Sequence, residues 1–129
     1  MTVAFAKVLN TSAVRVWDLI TDTQTWSKWG PSIRAVDTQE RYIRRGSTGR
    51  IRTIIGMWLP FTITTYEPQQ YWDWRVGGIQ ATGHRLEPWG PKHCRVSFIV
   101  PVWGVSYGIV CRIALNRIDR LLTLTAQED

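Results

Sequence analysis

The sequence predicts an α+β fold in which a seven-stranded antiparallel sheet is covered on one face by a long C-terminal helix. Three observations lead there. The 129 residues read in the order one strand, two short helices, six strands and one long helix. The six strands follow one another through tight turn signals, the pattern of an antiparallel meander. The segment 104–126 carries apolar side chains at helical spacing, and a sheet with one wet and one buried face needs such a helix as its cover.

Each element has its own local cause. Residues 2–9 are an apolar, β-branched run that Asn10-Thr11-Ser12 stops, and Ser12 is a good N-cap. Ala13, Val14, Val16, Trp17, Leu19 and Ile20 then supply one helical face. Thr21-Asp22-Thr23 breaks that helix, and Asp22 or Thr23 caps a second, short one that carries Trp26 and Trp29 and ends at Gly30-Pro31. Strands are expected over 33–39, 46–56, 61–66, 71–76, 79–87 and 93–101, punctuated by glycine and proline. Strict alternation puts Trp72, Trp74 and Val76 on one face and Tyr71, Asp73 and Arg75 on the other, before the tight turn Gly77-Gly78. In the final helix Val105, Ile109, Ile113 and Leu124 form one row, broadened by Tyr107, Val110, Ala114, Ile118, Leu121 and Leu122. At ~1.5 Å per residue that helix is long enough to cross a small domain.

The composition, 44% hydrophobic and 20% charged, is globular, and 129 residues suit one domain that folds without disulfides or metal. No window approaches a membrane span, and the amino terminus lacks the basic and apolar regions of a signal peptide, so a cytoplasmic protein is expected. Net charge is +6, and all 16 basic residues except Lys7, Lys28 and Lys92 are arginines, scattered through strand-like segments. That scatter predicts no specific nucleic-acid partner, only weak contacts that physiological salt removes. Cys94 and Cys111 have no CxxC partner, and His84 and His93 are the only histidines. Buried, inert thiols and no metal are the expectation. Eight tryptophans are more than a core of this size packs solid, so some should line a cavity or an interface.

Residues 13–22 (Ala-Val-Arg-Val-Trp-Asp-Leu-Ile-Thr-Asp), Trp26-Ser27-Lys28-Trp29-Gly30-Pro31, Gly46-Ser47-Thr48-Gly49-Arg50, Tyr66-Glu67-Pro68 with Trp72, and the amphipathic C-terminal helix occur here in one order. This set resembles the SRPBCC superfamily, the START-like or helix-grip fold, and within it the bacterial polyketide cyclase/dehydrase and lipid-transport branch. The resemblance covers nearly the whole chain. It implies a β-α-α-β6-α helix-grip fold, a curved sheet wrapped around the long helix with a ligand cavity between them. The scaffold serves cyclases, carriers and receptors alike, so the fold does not fix the function.

In such a fold the alternation turns Trp72, Trp74, Thr82, His84, Leu86, Cys94, Val96 and Phe98 inward. Tyr107, Val110 and either Arg112 or Ala114 join them from the helix. Trp72, Trp74, Thr82, His84, Val96, Phe98 and Tyr107 are the candidate ligand-binding residues, and plain core packing is the competing explanation for each. The expected ligand is a hydrophobic or aromatic small molecule, such as a lipid, an isoprenoid or a polyketide-like compound, with no cofactor. Among polar residues His84 is the candidate catalytic group, because an imidazole near its reference pKa is a competent general base for a cyclase or dehydratase. Tyr107, or Asp22 beside Asp18, would assist it, and Arg52 or Arg75 would bind a ligand anion if turned inward. Tyr66 and Tyr71 offer further phenols. No nucleophile elbow, zinc-protease helix or phosphate loop is present. A weak homodimer is an open alternative to the monomer.

Overall fold

The computed structural model describes residues 1–128, apart from the side chains at 103, 105, 106 and 124–128. Val105 and Leu124, placed above on the helical row, therefore lie outside the described side chains, as does the Trp103 indole. Seven strands, β1 (Thr2–Leu9), β2 (Ile33–Asp37), β3 (Thr48–Thr53), β4 (Trp58–Glu67), β5 (Tyr71–Val76), β6 (Ile79–Pro88) and β7 (Cys94–Pro101), form one sheet. The order is β1-β7-β6-β5-β4-β3-β2, so the meander runs through the middle and the first strand closes onto the last. All six pairings are antiparallel.

Helices α1 (Ala13–Thr21) and α2 (Trp26–Trp29) fill the connection between β1 and β2, and α3 (Gly108–Glu128) follows β7. The Ser12 cap expected from the sequence is present, its Oγ accepting from the Arg15 N–H at 3.4 Å, whereas α2 itself starts after Thr25 with no side-chain cap. Asp22 Oδ1 accepts from the Gln24 N–H at 3.0 Å, opening a short 3-10 turn, Thr23–Thr25, before α2. α3 packs against β1, α1 and α2. Its first residue, Gly108, is a matter of space, since a Cβ there would collide with the Phe5 ring of β1. Lys7 of β1 ties the helix down by donating to Asn116 Oδ1 at 2.7 Å and pairing with Asp119 at 3.3 Å. Sheet and helix together are the helix-grip arrangement.

Three details depart from the sequence expectations. The C-terminal helix begins at Gly108, because Val102–Tyr107 is a 3-10 segment with a non-helical Gly104 inside it. β4 starts at Trp58 and includes Pro60, whose carbonyl accepts from Gly77 at the β5–β6 turn. A strand residue's N–H and C=O point the same way, so the N–H that proline lacks would face a place where β5 has already ended. Finally, single residues are inserted in β2, β4 and β6 at Arg34, Thr64 and the Ala81–Thr82 pair. Such bulges bend the strand that carries them and increase its twist.

Candidate functional site

The concave face of the sheet, α2 and the start of α3 enclose a cavity of about 520 Å³. It opens at one end of the sheet, where β3 turns into β4, β5 turns into β6 and β7 leaves for the 3-10 segment.

The floor is aromatic. Trp26 stacks on Trp72 with ring centres 5.5 Å apart and planes 9° apart, and meets Trp74 and Phe61 edge-on. The His84 ring lies flat on Trp72 at 3.8 Å, with Phe98 and Trp29 edge-on to it at 4.8 and 6.2 Å. A helix of only four residues places both Trp26 and Trp29 here, held by indole N–H bonds to Ile20 O at 3.0 Å and Thr25 Oγ1 at 3.2 Å. Alternation along β5 brings Trp72 and Trp74 to the same side.

Three polar side chains at the floor, Trp74, Thr82 and His84, are joined in one chain, whereas the buried Trp72 Nε1–H has no hydrogen-bond partner among the described residues. The Trp74 Nε1–H donates to Thr82 Oγ1 at 3.1 Å. Since His84 Nδ1 lies 3.2 Å from the Trp72 carbonyl, which only accepts, Nδ1 carries the ring proton. Nε2 is then an acceptor, and the Thr82 hydroxyl 3.2 Å away donates to it. The bulge in β6 sets up this contact by putting both Ala81 and Thr82 opposite Trp74. Complete burial lowers the His84 pKa to about 3, although the Trp72 carbonyl and the Asp73 carboxylate pull the other way. The imidazole is neutral near pH 7 and both of its nitrogens are engaged.

The mouth is built differently. Ser32, in the loop after α2, shares a 2.6 Å hydrogen bond with the Tyr107 hydroxyl across the opening. Tyr107 remains 38% exposed, and the burial of the rest of its ring raises its pKa against the lowering effect of Ser32, so the phenol stays protonated. Ile54, Ile79, Gln80 and Thr53 complete this end of the lining.

Of the candidate binding residues, Trp72, Trp74, Thr82, His84, Phe98 and Tyr107 all border the cavity, as do Val110 and Ala114 from α3. Val96 does not. It pairs with Leu86 one layer beyond the His84–Phe98 pair, where the space between sheet and helices is solid core. Leu86 and Cys94 belong to that core too. Arg112 points away, donating to Ala6 O at 2.9 Å, because residues 110 and 114 share a helical face that 112 leaves. Asp22 is buried outside the lining, where Arg41 grips both its oxygens at 3.1–3.2 Å. Asp18, Arg52 and Arg75 are exposed. Tyr66 leans on Trp17, while Tyr71 donates to Asp73 at 2.9 Å. Cys94 and Cys111 are buried free thiols whose pKa burial pushes up to about 11, and His93 is exposed. No group of three or more His, Cys, Asp or Glu that could hold a metal occurs among the described residues.

Trp26 and Trp29 in the floor, and Ser32, Thr53, Ile54 and Gln80 at the mouth, are not among the lining residues expected from the sequence. A run as short as α2 has no periodicity to show which way its side chains point. Thr53, two residues beyond the inward Ile51 of β3, was within reach of alternation.

A curved antiparallel sheet gripping a long helix around an apolar cavity defines a helix-grip protein. The chain belongs to the family described as polyketide cyclase / dehydrase and lipid transport, whose model matches residues 1–122. The fold is shared with solved structures of distant sequence. A protein from Mesorhizobium loti superposes with a TM-score of 0.74 at 13% identity, covering 97% of this chain and 98% of that one. A hypothetical protein from Helicobacter pylori gives 0.75 at 9% identity, over 94% and 87% of the two chains. One from Deinococcus radiodurans gives 0.70 at 16% identity, over 97% and 99%. No curated protein matches the chain in sequence. Among the described residues no helix is long and apolar enough to cross a membrane.

Proposed function

We propose that the protein binds one hydrophobic or aromatic small molecule, of lipid, isoprenoid or polyketide-like character, between the sheet and α3, and performs no chemistry on it. The observation that carries this reading is the cavity itself. Its roughly 520 Å³ lies within the range of small-molecule sites, and its inner wall is four indoles and a phenyl ring. Flat apolar walls reward a flat or chain-like apolar ligand through burial and stacking.

The competing enzymatic reading rests on His84 as acid or base. Against it stand a pKa near 3, a lone pair already taken by Thr82 and a ring proton taken by the Trp72 carbonyl. A useful general base needs a pKa near the working pH and an accessible lone pair. The helpers considered for it are elsewhere: Asp22 is held by Arg41, and Tyr107 is at the mouth.

Titration with dibromostearate, followed by tryptophan emission, tests the proposal. Quenching should saturate, weaken in Trp74→Leu and persist in His84→Gln with affinity reduced no more than about tenfold, the effect of one neutral hydrogen bond. Linear quenching, identical in wild type and Trp74→Leu, would refute a binding cavity. Turnover of an added substrate that collapses in a stably folded His84→Gln would instead establish the enzyme.

A further inference from the structure

We propose that the mouth of the cavity is a docking face for anionic lipid bilayers, with the β3–β4 hairpin as the inserting element. The hairpin carries Ile54, Ile55 and Met57, whose fractional exposures are 56%, 79% and 50%. Across the opening Ile79, Val102 and Ile109 are also exposed, at 58%, 48% and 74%. Large aliphatic side chains thus ring one end of the molecule, and two of them, Ile54 and Ile79, also line the cavity. Through these two residues the apolar rim runs into the cavity lining.

Charge identifies the occupant. Every segment that reaches this end of the sheet falls within residues 1–17, 23–36, 41–66, 74–86 or 88–118, and none of these stretches contains an aspartate or a glutamate. They do contain Lys28, Arg34, Arg52 and Arg75, all exposed and without an ion-pair partner among the described residues. An apolar ring backed by cations and free of carboxylates suits a surface of anionic head groups over acyl chains. A second copy of the chain suits it less, since a two-fold contact would press Arg34, Arg52 and Arg75 toward their own equivalents. The hairpin backbone is also prepared for the interface: Thr53 N–H donates to Met57 O and Gly56 N–H to Thr53 O, both at 2.9 Å. Paired amides cost less to remove from water than free ones.

The inference holds whatever the cavity contains, and the test keeps the two apart. The full chain is floated with vesicles of phosphatidylcholine alone and of phosphatidylcholine mixed with phosphatidylglycerol, with and without added salt. Binding is expected to the mixed vesicles only and to weaken with salt, as the Debye length shortens to ~8 Å at physiological strength. Ile55→Asp should reduce partitioning at least about tenfold at unchanged melting temperature, since that side chain touches mainly solvent. The double variant Arg52→Gln/Arg75→Gln should reduce it about 25-fold, about fivefold for each cation. Equal partitioning to both vesicle types, or no effect of Ile55→Asp, would overturn the proposal. So would a dimer in sedimentation equilibrium that Ile55→Asp dissolves in a protein that ignores vesicles. Dibromostearate quenching in solution reads the cavity separately. Quenching without vesicle binding refutes docking alone, and vesicle binding without quenching supports docking while refuting the ligand site.

Discussion

The floor and the mouth of the cavity are a few residues apart along the same strands, yet they are held by different physics. At the floor Trp26, Trp72, Trp74, His84 and Phe98 are all buried, and each polar atom of the Trp74–Thr82–His84 chain is matched to another protein atom. At the mouth Ile54 and Ile79 are more than half exposed, and among the described residues one side-chain bond, Ser32 to Tyr107, spans the opening. The contrast separates two roles that a list of lining residues would merge. Under the proposed binding function the floor would set the shape of the ligand as well as support the fold, while the mouth would govern its entry. Substitutions at the floor should therefore register mainly in stability, and those at the mouth mainly in rates.

The largest expected effect tests the floor by acid. His84 is neutral when folded, with a pKa near 3, and regains an ordinary value of 6.5 when unfolded. Between these values the unfolded chain binds a proton that the folded one refuses. The stabilisation is therefore complete above pH 6.5 and is lost as pH falls toward 3, by about 5 kcal/mol in all. Asp73, whose carboxyl is held below its usual range, also loses stabilisation in acid, but only beneath the ordinary carboxylate pKa of 3.8. Burial pushes that group up, and the bonds from Thr64, Tyr71 and Thr65 outweigh it. The window from pH 6.5 to 4.5 thus isolates the histidine. Unfolding free energies from urea titrations there should fall with a slope of about 1.4 kcal/mol per pH unit in wild type and flatten in His84→Gln. Equal slopes in both proteins would mean that the imidazole is wetter than the floor described above.

A middle-sized effect belongs to Thr82, which joins the two sides of the comparison by bordering the cavity while serving the floor. Thr82→Val keeps the shape but removes both the acceptor for Trp74 Nε1–H and the donor to His84 Nε2. Two buried groups lose their partner, at a cost of about 1–3 kcal/mol for each one left unsatisfied. Dibromostearate affinity should stay within about threefold, because the hydroxyl already serves its neighbours. A large affinity loss at unchanged stability would move Thr82 from the supporting floor to the binding surface.

How far the sequence carried the argument follows the same division. Period-2 alternation in β5 was enough to place Trp72 and Trp74 together, and the Ser12 and Asp22 caps were visible as residue types in position. The β6 bulge was not, since one inserted residue at Ala81–Thr82 leaves no compositional mark. Apolar spacing runs unbroken from 102 into α3, so it could not show that the backbone is 3-10 until the tight Phe5 contact at Gly108. His84 shows the limit most clearly. Its inward direction followed from the strand, but burial lowers its pKa and two partners engage both ring nitrogens, so the ring is neutral where its reference chemistry would titrate. A reference pKa belongs to the sequence, whereas the operating pKa belongs to the packing.

The smallest expected effect tests the mouth. The Ser32–Tyr107 bond is 2.6 Å long but stands at the surface, where either hydroxyl finds water when the other is removed. Ser32→Ala should therefore cost no more than about 0.5 kcal/mol of stability. The bond nonetheless joins the loop after α2 to the segment that leads into α3, so breaking it lets the two sides of the opening separate. Release of dibromostearate, followed by stopped-flow recovery of tryptophan emission, should speed up severalfold, with association accelerated to a similar degree and affinity little changed. Tyr107→Phe removes the same bond from the other side and should reproduce both rates. Because one bond cannot be broken twice, Ser32→Ala/Tyr107→Phe should add nothing to either single variant. Additive rate effects would mean that each residue acts through other contacts and that the opening has no clasp. Slower release in either variant would reverse the assignment, making the bond a prop that holds the mouth open.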